Sequence, residues 1–355
     1  MSYPRLVVDT KKIENNVRAM VALTKARGIS TAGVTKVFCA APELVKAYVD
    51  GGVDYLADSR LQNLKRMKDA PLPKMMLRLP MISEAEELVK YADISLNSEI
   101  ATVRALNSAS EKIGKVHKII LMADLGDLRE GYFKEEDMFD AINEIKDMKW
   151  IEIAGIGVNL TCYGGVIATA PILKRLTDLA DKIREKFGLK IEIVSGGNSS
   201  SMHLVEKGEI PEGISNLRFG EVFVNGSESG YGKQMPGTDP TAFVLEAEAI
   251  EVKEKPSVPT EEIGRDAFGQ IPTFVDRGVR KRILCAIGKQ DVDHGTLYPE
   301  DKGLIILGGS SDHLILDGSD SETDYKPGDI VRFNMHYVSI LRLMTSEFVE
   351  KVYER

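Results

Sequence analysis

An α/β chain with a (β/α)8 TIM barrel followed by a smaller C-terminal antiparallel β domain is the fold this sequence predicts. Three observations lead there. From about Lys11 to Gly226, short apolar runs alternate with amphipathic segments. The apolar runs number about eight, as such a barrel requires. After about Gly230 helical periodicity stops, and β-rich runs punctuated by Gly, Pro and Asp replace it.

Taken in order, the barrel strands are expected at Thr31–Thr35, Val53–Leu56, Lys74–Leu79, Asp93–Leu96, Lys118–Ala123, Ile151–Leu160, Lys190–Val194 and Leu217–Phe223. Amphipathic stretches lie between or before them, among them Lys11–Arg27, Ala41–Val49, Glu84–Tyr91, Glu99–Ile113, Glu135–Met148 and Ala170–Phe187. Ser83 and Ser98 read as capping residues for two of these helices. Because Lys11–Arg27 precedes the first barrel strand, the opening strand Arg5–Val8 is left for a different sheet. Further strands are expected at Ala242–Val252, Lys281–Ile287, Gly303–Leu307, His313–Asp317 and Asp329–Asn334, with Glu254–Val279 an excursion between two of them. A final helical run, Ser346–Tyr353, closes the chain. The domains this implies are 9–229 for the barrel, and 1–8 with 230–355 for the β domain.

With 355 residues, 43% of them hydrophobic and 28% charged, the chain has the composition of an ordinary globular protein with a sizeable core. A net charge of -8 with no basic run argues against a general nucleic-acid binder. Cys39, Cys162 and Cys285 are too widely spaced for a zinc set, and their odd number argues against a disulfide framework. The histidines do not cluster as ligands, so no metal is expected. The first residues lack a signal-peptide pattern and no run approaches a membrane span, which reads as cytoplasmic.

Polar residues just after barrel strands converge on one mouth, where active sites form. Lys36 closes the first such run, Ser30–Thr35. A lysine ending a buried strand should bear a desolvation cost that lowers its pKa and suits Schiff-base chemistry; alone, it also reads as an ordinary strand-end charge. After the seventh strand, Ser195-Gly-Gly-Asn198-Ser199-Ser-Ser201 offers glycines for close approach and free N–H groups for a phosphate. Its bland reading is a Ser/Gly-rich loop. Arg218, inside the eighth strand run, should face the mouth and not the apolar barrel interior. Arg129 follows a tight Asp-Leu-Gly turn, flexibly placed within reach of an anionic group. Each arginine alone is more often a structural ion pair; a lysine, a phosphate loop and two arginines at one mouth have fewer bland explanations.

With these residues in hand, the chain resembles the alanine racemase family of fold-type III pyridoxal-phosphate enzymes, and within it the ornithine racemase branch. The resemblance spans nearly the whole length. It is carried by Gly33-Val-Thr-Lys36, Ala57-Asp-Ser-Arg60, Leu125-Gly-Asp-Leu-Arg-Glu-Gly-Tyr132, Gly157-Val-Asn-Leu-Thr-Cys-Tyr163, Ser195–Ser201 and Ser310-Ser-Asp-His313. It implies that Lys36 holds pyridoxal 5'-phosphate covalently and moves the α-proton on one face. Asn198 and Ser199 match the phosphate loop, helped by the backbone at Gly220 and Glu221. Arg218 matches the arginine at the pyridine nitrogen, where it keeps that nitrogen unprotonated and discourages side reactions. Asn159 falls beside the cofactor ring, Arg129 near the substrate carboxylate, and Ser311 in a backbone that helps hold that carboxylate from the partner subunit.

Three departures from the family pattern stand out. The tyrosine that usually follows the lysine strand is missing from Lys36-Val-Phe-Cys-Ala40. Met122 stands where many relatives carry a modified lysine. Relatives take the opposite-face base from a tyrosine of the partner's β domain, but here the run is Ala286-Ile-Gly-Lys289-Gln-Asp291-Val-Asp293. Ungapped, Lys289 takes that place, with Asp291 and Asp293 as rivals and a solvated loop as the bland reading. The expectation is a homodimeric racemase of ornithine or a related basic amino acid, completed by the partner subunit. Asp291, Asp293 and Asp312 could meet a distal ammonium, although loop solvation is the more ordinary reading of each. Cofactor binding without turnover, and a decarboxylase of the same architecture, are the alternatives. The first suits barrel-only proteins better, and the second lacks its cysteine and Glu-Pro-Gly-Arg-like motifs here. Cys39 either lines the pocket or is a structural thiol.

Overall fold

The computed structural model describes residues 2–355, which fall into two compact units. One runs Lys11–Pro240; the other joins the chain up to Thr10 to Thr241–Arg355.

In the first unit, eight parallel strands close into a barrel. They are β2 (Ser30–Val34), β3 (Tyr55–Asp58), β4 (Lys74–Met76), β5 (Ile94–Asn97), β6 (His117–Ala123), β7 (Ile151–Val158), β8 (Ile193–Ser195) and β9 (Asn216–Phe219), with β1 (Arg5–Asp9) preceding them in the other unit. Closure comes from β2 pairing β9, in a register that sets Ala32 opposite Arg218 and Gly33 opposite Phe219. The interior is filled by small and medium side chains, Ala32, Val34, Ala57, Leu96, Ile120 and Met122 among them. Burying each larger one stabilises by roughly 1.5–3 kcal/mol.

Helices link the strands: α1 (Thr10–Lys25), α2 (Pro42–Gly51), α3 (Leu61–Arg66), α4 (Ala85–Tyr91), α5 (Ile100–Ile113), α6 (Glu135–Ile145), α7 (Ala170–Phe187), α8 (Met202–Lys207) and α9 (Glu221–Val224). The longest, α7, has its end signals in the sequence. Thr169 accepts from Ile172 N, Pro171 occupies the first turn, Arg184 and Lys186 lie in the last turn, and Gly188 turns left-handed just beyond. The serine caps do not form. Helices α4 and α5 have Glu84 and Glu99 at their cap positions, with no side-chain cap. Ser83 lies inside a 3-10 turn whose Glu84 N–H already bonds Met81 O, so that entry needs no hydroxyl.

The second unit holds β10 (Phe243–Pro256), β11 (Val279–Cys285), β12 (Leu297–Pro299), β13 (Ile305–Gly309), β14 (Leu314–Asp317), β15 (Ile330–Met335), α10 (Tyr337–Thr345) and β16 (Glu350–Glu354). Its sheet order is β12-β15-β10-β11-β14-β13, and β1 joins by pairing with β10 and β16. The opening strand therefore does belong to a sheet other than the barrel. The closing segment departs from expectation. Ser346–Tyr353 is not helical; α10 ends at Thr345 and residues 350–354 run parallel to β1, with Arg5 opposite Glu350. Val352 and Tyr353 suit a strand, and β1 needs a partner on the edge that β10 leaves open.

Candidate active site

All eight barrel strands point the same way, so the loops after them share one mouth. Thr35 and Lys36 follow β2, and Lys36–Phe38 make a single 3-10 turn. The desolvated lysine expected from sequence is not found: Lys36 is exposed, because the chain leaves the strand before its side chain emerges. Among the described residues its amine has neither a hydrogen-bond nor an ion-pair partner. An unpaired amine at a barrel mouth is free to react.

Backbone strain gathers at the same end. The non-glycine residues with left-handed backbone among the described residues are Cys39, Ala40, Leu128 and Thr161, with φ from 52° to 56°. All lie in loops after barrel strands: two beyond Lys36, one after β6 and one after β7. Such conformations cost about 1–3 kcal/mol each and persist where the surroundings over-determine them.

Arg218 is the most constrained charge. Its side chain is buried, with 4% of the residue exposed. Nη1 donates to Ser195 Oγ at 2.5 Å and Nη2 to Val158 O at 2.8 Å, so it spans the ends of β7, β8 and β9. No carboxylate pairs with it among the described residues. Burial lowers its pKa to about 10, with Glu130 opposing and Arg129 adding to the drop. A buried guanidinium with only neutral partners suits a neutral ring nitrogen or an anion.

The loop after β8 lies beside it. Gly197, at φ 109°, gives its carbonyl to Arg218 N at 3.0 Å. Asn198 Oδ1 accepts from Ser200 N at 2.8 Å, and Ser199 Oγ accepts from Val222 N at 3.2 Å, which ties this loop to the turn after β9. Ser200 Oγ is buried with no partner. Gly220 and Glu221 open α9, and the Glu221 carboxylate accepts from Ser229 Oγ at 2.7 Å. The donor set, glycines, hydroxyls and backbone N–H groups with an orphaned buried hydroxyl, fits a phosphate.

Arg129 is not flexibly placed. Glu130 grips it through two nitrogens, Nε and Nη2, and Nη1 donates to Cys162 Sγ. The Asn159 amide lies between the Asn198 amide nitrogen, 3.1 Å away, and the Arg129 guanidinium, whose terminal nitrogens lie 3.1 and 3.2 Å from it. One chain of polar contacts thus links Arg129 to the phosphate-type loop.

Asp127 was not among the residues singled out from sequence. It is buried and accepts from Tyr163 N at 3.0 Å and Val166 N at 3.1 Å, so it pins the loop after β7 to the loop after β6. Burial raises its pKa, but the donors from Tyr163 and Val166 outweigh this and hold it below the usual carboxylate range. An aspartate in a Gly-Asp-Leu turn reads as solvated. Only its position after a strand hinted otherwise.

In the second unit, the two runs singled out from sequence lie side by side. Lys289 N bonds Ser310 O at 2.9 Å and Gln290 N bonds Ser311 O at 3.0 Å. The Lys289 ammonium lies 3.8 Å from the Phe268 ring centroid. Asp291 accepts from Ser346 Oγ at 2.6 Å, Asp293 lies 3.5 Å from Arg342, and Asp312 bonds His313 Nδ1 at 2.8 Å. Ser311 and Asp312 are exposed.

Comparison with known proteins decides the family. The alanine racemase N-terminal domain matches residues 8–224, well over half of the chain. The chain belongs to the alanine racemase family. It is 52% identical over 349 residues to an ornithine racemase of Acetoanaerobium sticklandii, covering 98% of this chain and 99% of that protein. It is 45% identical over 356 residues to a lysine racemase of Thermotoga maritima, covering 100% and 99%. Among solved structures, alanine racemase from the D-cycloserine producer Streptomyces lavendulae superposes with a TM-score of 0.75 at 18% identity, over 100% of this chain and 98% of that one. Alanine racemase from Bartonella henselae with covalently bound pyridoxal phosphate does so with a TM-score of 0.75 at 17% identity, over 100% of both chains. These distant structures share the fold of a parallel barrel with an antiparallel β unit. The chain is an amino-acid racemase. No helix among the described residues is long and apolar enough to cross a membrane.

Proposed function

We propose that this racemase interconverts L- and D-ornithine, or a related basic amino acid, with pyridoxal 5'-phosphate as cofactor and as a homodimer. The observation that carries the substrate assignment is that the two end-to-end relatives act on ornithine and lysine, whereas an alanine racemase of Methanococcus maripaludis matches at 25% over only 202 residues.

The cofactor fits the residues present. Arg218, buried among neutral partners, suits a pyridine nitrogen that stays unprotonated, and Asn198, Ser199 and the backbone at Gly220 and Glu221 suit the phosphate. When bound, pyridoxal phosphate delocalises the electron pair left at Cα after proton removal. Lys36 would anchor it and would accept or return the Cα proton at Nζ on one face. Arg129, held by Glu130 and Cys162, would meet the substrate carboxylate, and Asn159, beside Arg129 and Asn198, would pack against the ring. On the other face the proton moves through Lys289 of the partner subunit. Asp291 and Asp312 of the partner subunit meet the distal ammonium, and the backbone of Ser311 of the partner subunit helps hold the carboxylate. Racemisation demands proton transfer on both faces, so this reading needs two bases.

The test is kcat/KM for the L and D forms of ornithine, lysine and alanine with the purified holoenzyme. The expected order places ornithine first and alanine at least about 100-fold below, the scale set by leaving a built polar contact unpaired. Equal or higher efficiency on alanine overturns the substrate assignment.

A further inference from the structure

The turn that carries Lys36 is held from both sides by one polar cluster. On the near side, Thr35 Oγ1 donates to Asp58 Oδ2 at 2.6 Å, and Thr35 N donates to Ala57 O at 2.8 Å. On the far side, Arg66 Nη1 donates to Cys39 O at 2.9 Å. Asn63 joins the two: its Nδ2 lies 3.1 Å from both Asp58 oxygens, and its Oδ1 accepts from Arg66 Nη1 at 3.4 Å. Arg60 N adds a third donor to Asp58 at 2.8 Å. Asp58 is fully buried, Asn63 is 5% exposed, and Asp58 has no cation partner.

Thr35, Arg60 and Asn63 all direct donors at Asp58, so the carboxyl gathers the three segments around one buried point. Burial raises that carboxyl above its ordinary value, and the donors from Thr35, Arg60 and Asn63 offset only part of the rise. A core that needed only packing would place an apolar side chain here, since burying a polar group is costly unless its hydrogen bonds are made. What the cluster holds is the strained stretch, because Cys39 and Ala40 both sit left-handed at φ 53° and 52° immediately after the Lys36 turn.

We infer that Asp58, Asn63 and Arg66 are positioning residues that fix the Lys36 turn between Thr35 and Cys39 and so set where the Lys36 amine stands in the mouth. This rests on the proposed role of Lys36. None of the three need touch substrate; they act through the backbone on either side of the lysine. A displacement on the order of 1 Å can cost a reaction about 100-fold in rate.

The test uses the holoenzymes of Thr35→Val, Thr35→Ser, Arg66→Met and Lys36→Ala. Thr35→Val keeps the shape and removes the donor to Asp58; Thr35→Ser keeps the donor. Arg66 is exposed, so Arg66→Met breaks the far-side contact without disturbing the core. The clamp predicts that Thr35→Val lowers kcat by about 10- to 100-fold with KM for L-ornithine within about twofold, and that Thr35→Ser restores kcat. Arg66→Met should shift kcat in the same direction by a smaller factor. The second readout is the pH midpoint of the visible absorption of the lysine-bound cofactor. It should move in Thr35→Val and Arg66→Met but not in Thr35→Ser, whatever happens to their melting temperatures. Wild-type kcat and an unmoved midpoint in Arg66→Met and in any folded Thr35→Val overturn the clamp. Wild-type racemisation by Lys36→Ala overturns the assignment of Lys36 itself, a separate outcome.

Discussion

His117 couples the stability of the barrel to acid. It opens β6, is 1% exposed, and bonds the Ser95 hydroxyl through Nε2 at 2.8 Å, while its Nδ1 is buried without a partner. Burial, with a smaller push from Lys115, lowers its pKa from 6.5 to about 4. Below the unfolded pKa the unfolded chain therefore binds a proton that the folded chain refuses. Stability is fully present above pH 6.5 and is lost as pH falls toward 4. Between pH 7.5 and 4 the loss from this one residue amounts to about 3 kcal/mol. Carboxylates such as Asp127 and Asp317, whose pKa values are lowered, keep their contribution above the unfolded carboxylate range and lose it at still lower pH. They titrate alike in wild type and in a His117→Gln variant, so they cancel in the difference. The assay is urea unfolding of both proteins at intervals from pH 7.5 to 4. Wild type should be the more stable at pH 7.5, and its advantage should shrink by about 3 kcal/mol by pH 4. A difference constant within about 0.5 kcal/mol would refute the reasoning, since a neutral buried histidine must show this slope.

Other perturbations reach the site. Arg218→Gln removes a buried charge that has only neutral partners; cofactor affinity, measured by equilibrium dialysis, should fall at least about tenfold, while the melting temperature of the cofactor-free protein holds or rises. Asp127→Ala strips the acceptor from Tyr163 N and Val166 N; it should cost about 2–4 kcal/mol in urea unfolding and raise KM for ornithine through a loosened Arg129. Asp291→Asn and Asp312→Asn should each be compared on ornithine and alanine. The variant that removes the partner of the distal ammonium raises KM for ornithine at least about tenfold more than for alanine, and equal losses on both substrates by both variants would remove these aspartates from recognition.

The barrel was legible because each strand is a short apolar run and each connecting helix an amphipathic one; the two periods do not resemble each other. The opening strand was legible by elimination, since α1 follows it and the first barrel strand comes later. Ser346–Tyr353 reads as helical from sequence because its apolar residues tolerate either period, and the free edge of β1 that decides the matter pairs with it across 345 positions of sequence, as Arg5 with Glu350. At the site, the Ser195–Ser201 loop announced itself through composition. The exposure of Lys36 did not, because it depends on the direction of a turn that Asp58 and Arg66 hold from another strand and helix. Asp127 and Asp58 were passed over individually for a similar reason: a carboxylate that accepts backbone donors in a buried turn has the same sequence signature as one in water.

The proposed reaction has Lys36 move the α-proton of a basic amino acid. It is tested most directly by following L-ornithine with the holoenzyme in D2O, Cα–H by NMR and optical rotation in parallel, in wild type and in Lys36→Ala. Wild type should lose the Cα–H signal and the rotation at similar rates, and Lys36→Ala should lose neither. Retention of both signals by the wild-type holoenzyme, or unchanged loss of both with Lys36→Ala, would contradict it.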